Sequence, residues 1–532
     1  MKGAEGLLPQ PTRRDIQLVI VASSLGAVFE WYDFFIYGTL AALIGRLFFP
    51  AASATAGFLL ALATFGVGFA VRPLGAVVFG VLGDRLGRKY TFLVTITLMG
   101  MATAAIGFLP TYATIGVAAP LLLVLLRALQ GFAIGGEYGG ASIYVAEHAS
   151  ANRRGYFTSF TQAGAPGGLI LSLTVSVGTV WILGEDAWDV WGWRIPFISS
   201  LLLLVISLWM RLKLAESPIF KAMKKAGTTA RNPLKESFSS KVQVKRILAA
   251  LFGISAGQAV MGYTAFFQSL YFLQNALHVS TTLAQLIVLT ATATAIGWYV
   301  LFGWLSDRVG RKKPILIGYA LTILLLFPLF HFIADQANPA LSNTMLHHPV
   351  VVTGSDCTYN PFASHGQATA CGALMDLLSK KGVPYTKVDG AAGVAPFVTI
   401  GGARIDVSNA AVMDAQLKNA GYALDTVTPP ALRIALIVLA LVVLYALIGM
   451  AYGPVAAWLV ELFPARVRYT SMSIPYHFGS GYAGGFLPFI SQYIVARTGN
   501  PFAGFWYAIS IMTLAFFVTI FVLPETSGRD LD

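Results

Sequence analysis

Five ionisable residues stand inside long apolar stretches, where a charge costs roughly 2.5–3.5 kcal/mol unless it is paired or wetted. They are Glu30, Asp33, Arg72, Arg127 and Glu137. Glu30 and Asp33 are three residues apart and share one helix face. Arg127, Gln130, Ile134 and Glu137 fall within an arc of about 80° at 100° per residue. Two such faces turned towards each other would enclose a wet cavity holding three carboxylates and two guanidiniums. That is the composition of a proton relay: arginine stays charged, and it holds a carboxylate ionised until the pairing changes. The five are expected to form a proton-coupling set, with the proton as the coupling ion and no cofactor. Two other readings stay open. The charges could be a static network that sets helix registry, or Arg127 or Arg72 could bind a carboxylate directly.

These residues need helices in lipid to position them. Of the 532 residues, 56% are hydrophobic and 11% charged, against about 25% charged in a typical soluble protein. The apolar residues form blocks long enough to cross about 30 Å of hydrocarbon, near 16–44, 58–82, 90–108, 118–146, 156–183 and 194–213. A second six follow near 247–275, 284–304, 314–334, 432–460, 469–496 and 502–523. The blocks are apolar on every face, unlike barrel strands. The net charge of +12 is a topology signal and no sign of nucleic-acid binding. With the N-terminus inside, 25 of the 36 Lys and Arg fall in alternate loops on one side, which predicts both termini in the cytoplasm.

The stretch Gly80–Lys89 (GVLGDRLGRK) returns as Gly303–Lys312 (GWLSDRVGRK), each between the second and third span of a half. This internal repeat predicts two six-helix bundles. The expected plan is an N-tail (1–15), an N-terminal bundle (16–213), a basic central loop (214–246), three helices (247–334), a soluble insert (335–430), three helices (431–524) and a C-tail (525–532). By that topology the insert is periplasmic. It reads β-α-β-β-α, with PFVTIGGARIDV as its third strand, and holds both cysteines of the chain, Cys357 and Cys371. In an oxidising compartment they are a disulfide candidate. The order and the Gly-Gly turn loosely resemble part of a glutaredoxin-like domain. A Cys-x-x-Cys pair is absent, so a cap or docking surface is expected there and not redox chemistry.

The two GxLxDRxGRK segments look like the loop signature of the major facilitator superfamily. Further motifs resemble its metabolite:proton symporter family: GAVFEWYDFFIYG in the first span, VRPLGAVVFG in the second and RALQGFAIGGEYGGA in the fourth. So do WGWRIPF (Trp191–Phe197), ESP (Glu216–Pro218), ELFPARVRYT (Glu461–Thr470) and PET (Pro524–Thr526). That family includes proline/betaine, shikimate, α-ketoglutarate and citrate permeases. The resemblance covers nearly all the chain except the insert. It implies a twelve-helix inner-membrane symporter that imports a small organic solute, an organic acid or a zwitterion, by alternating access; the chain is expected to function as a monomer.

At the ends of the basic loops, Asp84, Arg85 and Arg88 match Asp307, Arg308 and Arg311. Glu147 with Arg153 and Arg154 matches Glu461 with Arg466 and Arg468. These are expected to form a cytoplasmic gate of exposed pairs, each worth little alone, made in one conformation and broken in the other. The C-terminal half has no mid-span charge. Its polar and aromatic groups, Gln258, Tyr263, Gln268, Tyr452 and Trp458, join Gln130 as candidate solute contacts, although each is individually a packing candidate. Gly135, Gly136, Gly139 and Gly140 read as close helix packing. No nucleophile–base set, metal-ligand cluster or phosphate loop points to an enzyme or a nucleotide-driven pump. An uncoupled facilitator, an antiporter or a membrane-bound sensor are the remaining alternatives.

Overall fold

The computed structural model describes residues 13–531 apart from 51–52, 87, 137, 213–224, 228–231, 364–365, 406, 408–409 and 423. Among the described residues, seven helices are long and apolar enough to span a membrane, and two bent pairs join them. The first span, Arg13–Thr39, turns by 60° into Ala41–Phe48, so the block that reads as one helix to residue 44 is broken near Leu40. The sixth is entered through a 50° bend between Glu185–Gly192 and Arg194–Met210. Two shorter apolar helices, Leu93–Phe108 and Phe505–Phe521, are the third and twelfth spans. The eleventh, Arg468–Phe478 running on to Leu487–Thr498, completes the twelve.

Each half packs internally, the first span on the fifth and the second on the fourth, the eighth on the tenth and the ninth on the tenth. The halves meet where the second span touches the eleventh and the fifth touches the eighth. Small residues make the tightest crossing. A methyl group on Gly131 would overlap the carbonyl of Gly68, and one on Gly135 would overlap that of Arg72. The fourth span therefore lies directly against the second, and this brings Arg127 and Arg72 into one neighbourhood. The family motif around Arg194 has a local purpose too: its guanidinium donates to the carbonyls of Gly107 (2.8 Å) and Leu109 (2.7 Å), tying the sixth span to the end of the third.

The seventh and eleventh spans are wound more loosely than ordinary α-helix. Wide π turns occupy Ala250–Ser255, Thr264–Gln268 and Phe272–Ala276 in the seventh and Gly479–Gly485 in the eleventh. Such turns release backbone groups and re-aim side chains, and they recur at functional sites.

The insert folds around its own core of Val350, Val352, Leu378, Val398 and Met413. Its sheet has the order β2-β1-β3-β4, with β1 (Val350–Gly354), β2 (Thr386–Asp389), β3 (Phe397–Ile400) and β4 (Ala403–Ile405). β1 is parallel to β2 and antiparallel to β3. The segment expected as one strand is thus a hairpin, because Gly401 and Gly402 adopt φ of 55° and 87°, a region open to glycine. Cys357 and Cys371 are bonded, with Cα atoms 4.8 Å apart. The insert is docked on the membrane bundle. Tyr385 N–H donates to the Gly499 carbonyl (3.1 Å), Val427 N–H donates to that of His278 (2.9 Å), and Phe362 stacks on Tyr493.

Candidate functional site

Midway through the bundle the first, second, fourth and seventh spans converge on a closed aromatic chamber whose rings pack on one another. Phe34 lies between two guanidiniums, with Arg72 4.4 Å and Arg127 4.2 Å from its ring centre. Arg72 also sits 4.0 Å over Phe69, and Arg127 4.4 Å over Tyr37. Cation–π contact is the stronger for being desolvated, which is how lipid-buried arginines are tolerated here. The opposite wall belongs to the C-terminal half: Tyr263 stands edge-on to Phe69 (5.3 Å) and Phe267 edge-on to Phe35 and Phe65 (5.3 Å each).

The polar valences in this chamber are unevenly filled. Arg127 Nη1 donates to Gln130 Oε1 (2.6 Å), and Gln130 Nε2 donates to Thr103 Oγ1 (2.7 Å), so Gln130 orients the arginine. Arg72 is 1% exposed, and none of its three guanidinium nitrogens has a hydrogen-bond partner among the described residues. The Tyr263 hydroxyl, Gln258 Oε1 and both ring nitrogens of His477 are buried and unpartnered in the same sense.

The acidic and basic faces stand near each other: Glu30 acts electrostatically on Arg72, and Gln130 Nε2 donates to the Asp33 carbonyl (3.5 Å). Glu30 and Asp33 are buried, but they border a small void among the third and sixth spans, beside Met99, Leu204 and Ser207. Neither Arg72 nor Arg127 is ion-paired to them among the described residues; the arginines rest on rings instead. Helix angles say which residues share a face, and the rotation of that face is set by the packing of neighbours. Glu137 lies outside the described residues. Gln268 lies beyond the chamber, where its Oε1 accepts from Gln492 Nε2 (3.0 Å). Tyr452 stacks on Tyr299 (5.1 Å) behind the seventh span. Trp458 is away from the chamber: its indole N–H donates to the Pro524 carbonyl (3.1 Å) and braces the C-tail.

The basic-loop side is closed by ion pairs that cross between the halves. Glu147 and Arg154 are seven residues apart, as are Glu461 and Arg468, and each Glu takes the other half's Arg. Arg154 Nη1 reaches Glu461 Oε1 (2.9 Å), and Arg468 Nη1 reaches Glu147 Oε1 (3.4 Å). Arg311 adds bonds to Glu461 (3.0 Å) and Asp307 (2.6 Å). Asp307 in turn accepts from the N–H groups of Gly155 and Tyr156 (2.8 Å each), at the positive end of the helix Arg154–Gln162.

These pairs are not the exposed ones expected: no side chain among them is more than 5% exposed. Two other expectations shift as well. Arg466 pairs with Glu236 of the central loop at the surface, and Arg308 stacks on Trp304 (3.9 Å) outside the cluster. The side chains of Asp84, Arg85 and Arg88 lie outside the described residues. Sequence reasoning overlooked Glu525, whose carboxylate accepts from the N–H groups of Arg311 (2.9 Å) and Lys312 (3.0 Å), and Thr526, which donates to Glu461 (2.7 Å). The PET motif was the available signal.

A two-bundle frame with a buried crossed latch and a central chamber is the architecture of a solute carrier, and comparison with known proteins agrees. The model of the sugar (and other) transporter family matches residues 18–240 and 410–532. The chain belongs to that family, within the major facilitator superfamily. It is 31% identical over 523 residues to the inner membrane metabolite transport protein YhjE of Escherichia coli, covering 96% of this chain and 95% of that one. The proline/betaine transporter of E. coli is 37% identical over 60% of this chain and 67% of its own length. The E. coli shikimate transporter is 38% identical over 60% and 72%. The solved proton:xylose symporter XylE superposes with a TM-score of 0.62 at 16% identity, over 97% of each chain, a likeness of fold. The protein is accordingly a multi-pass membrane transporter of small solutes, and its family and relatives are transporters, not enzymes.

Proposed function

We propose that the protein imports a small carboxylate-bearing solute, an organic acid or a zwitterion, by proton symport and alternating access, acting as a monomer in the inner membrane. The observation that carries this reading is Arg72, a fully buried guanidinium in a packed aromatic cluster built by both halves, none of whose three nitrogens is hydrogen-bonded among the described residues. A buried charged donor left unsatisfied costs a kcal/mol or more, about 1–3 for ordinary groups, and a bound carboxylate would remove that cost with charge-assisted bonds. The named solutes of the relatives, proline, betaine and shikimate, all bear a carboxyl group. In this reading the arginines serve the solute, and Glu30 and Asp33, with Glu137, serve the proton. The basic side, closed in this form, faces the cytoplasm, and the insert faces the periplasm.

The test is uptake of labelled shikimate, proline and glycine betaine into proteoliposomes, with and without an inward proton gradient. Accumulation only with the gradient is expected. Glu30→Gln and Asp33→Asn should equilibrate solute without concentrating it, and Arg72→Ala should not carry it at all. Accumulation indifferent to the gradient would make the protein a facilitator. Accumulation driven by a reversed gradient would make it an antiporter.

A further inference from the structure

On the insert side, just outside the chamber, lies a vestibule of about 460 Å³ whose walls come from three sources. Arg46, at the end of the first span's bent segment, and the start of the second span (Ala54 to Leu59) form one wall, and the ends of the seventh and eleventh spans form another. The third is the insert, through its loop from Ser379 to Tyr385. Its floor is Tyr271, whose hydroxyl donates to the Gly38 carbonyl (2.7 Å) and whose ring stands edge-on to Phe58 (5.2 Å). Tyr271 stacks on Phe267, so one aromatic layer separates the vestibule from the chamber of Arg72.

The lining has a definite chemistry. It includes Arg46, Lys380 and Lys381 and no Asp or Glu. Each cation does hold a carboxylate, Asp189, Asp376 and Asp414 respectively, but all three acids lie outside the lining and the pairs are partly or wholly exposed. Pairs of that kind are worth at most about 1 kcal/mol and exchange readily for another anion. The polar floor is short of acceptors. Gln268, 1% exposed, accepts from Gln492 at its Oε1 and leaves its Nε2 buried without an acceptor among the described residues. Gln274 Nε2 is buried and open in the same way. Burial alone holds His278 below its ordinary imidazole value of 6.5, against the opposing pull of the Gly382 backbone and Asp425, so it adds no charge at neutral pH. The site presents cations at its rim and unsatisfied amide donors at its base.

We propose that this vestibule is an entrance subsite that captures a carboxylate before the Tyr271 layer opens, with Lys380 and Lys381 of the insert drawing the anion in and Gln268 and Gln274 donating to it. The proposal deepens the carboxylate reading above and rests on it. It also gives the insert a task, since two of the three cations of the rim come from its loop.

The chain offers a clean test because its two cysteines are bonded to each other and no free thiol remains. An Asn275→Cys variant of the full protein carries one reactive thiol in the vestibule lining. Its labelling is followed with an anionic (sulfonate) and a cationic (trimethylammonium) methanethiosulfonate, each scaled to its rate with free cysteine. A charge-focusing cleft raises local counter-ion concentration by about tenfold or more, so the anionic reagent should be favoured by that factor. Adding Lys380→Gln and Lys381→Gln, at positions exposed enough to leave the fold intact, should reduce the preference at least threefold. Millimolar succinate should slow labelling where neutral succinamide does not, and Gln268→Leu should abolish that protection while leaving the anion preference. Equal scaled rates, a preference indifferent to the two lysines, or no protection by succinate would each overturn the proposal. If those results hold but proteoliposomes accumulate no carboxylate, the subsite stands and the transport reading fails. If accumulation occurs without anion preference, only the subsite fails.

Discussion

The two ends of the transport path are shut by different physics. On the basic side the halves are joined by charge: Glu461 takes Arg154 and Arg311, Glu147 takes Arg468, and all lie out of water. On the insert side they are joined by rings: Phe35 and Phe65 meet Phe267, Phe58 meets Tyr271, and one hydrogen bond runs to Gly38. Buried ion pairs are strong only relative to a partner removed, since both charges have already lost their hydration. When that seal opens, water repays the charges and the open form gains much of what the pairs lose. An aromatic seal has no such compensation, because opening it exposes apolar surface. The charged seal is therefore a switch that tolerates both states, and the aromatic seal is a soft cover that closes by default.

Substitutions should separate the two. The largest effect is expected from Glu461→Gln, which replaces the carboxylate shared by two buried guanidiniums and Thr526 with a neutral amide. Breaking such a pair costs about 3–5 kcal/mol, enough to open the basic side. A cysteine replacing Ser159, which packs on Gly303 beneath the seal, should then be alkylated at least tenfold faster, and unchanged labelling would mean the latch is ornamental. Among the described residues Glu147→Gln weakens the pair with Arg468, which keeps bonds to the carbonyls of Val460 (3.1 Å) and Phe463 (3.0 Å). The same reporter should respond less, by about 1–3 kcal/mol. On the other side, Tyr271→Phe deletes one hydrogen bond worth about 1 kcal/mol. The population open to the insert side should rise by roughly fivefold, read as a longer distance between spin labels at positions 46 and 275. A shift as large as that of Glu461→Gln would contradict the soft-cover reading.

The smallest effect concerns pH. Burial alone would push the Glu525 carboxyl up, but the N–H groups of Arg311, Ser527, Lys312 and Thr526 outweigh it and hold it below its ordinary 4.5. Its stabilisation is complete above the unfolded value and disappears as pH falls through the lower folded one. The melting temperatures of wild type and Glu525→Gln should differ above pH 5 and converge in stronger acid. Because Glu525 is half exposed, the contribution is about 0.5 kcal/mol after solvent screening. A gap that widens in acid would reverse the assignment.

Much of this frame is legible in the residues. Apolar blocks locate the spans because lipid forces each backbone to satisfy itself within a helix. The matched GxLxDRxGRK loops reveal the duplication, and the Gly401–Gly402 pair hints at the hairpin that divides one expected strand. The latch residues stand out as matched charges, yet their crossing does not, since pairing partners are chosen by how two bundles dock. For the same reason Glu30 and Asp33 could be assigned to one face without revealing that Arg72 and Arg127 would face Phe34 instead. The chamber itself is illegible for a compositional reason: among the 36 phenylalanines of the chain, the five that build it carry no contrast. Trp458 misled similarly, because a tryptophan in lipid looks the same whether it meets a solute or a tail carbonyl.

The crossed latch has a historical consequence. A six-helix unit that carries Glu and Arg seven residues apart, in the place of Glu147 and Arg154, is self-complementary about a twofold axis, each copy giving one donor and one acceptor. Two separate copies could have closed on each other with the same two bonds seen here. Joining them end to end would then require no new contact at the latch, only a linker, and the fused descendant keeps in its crossed pairs the handshake of a dimer.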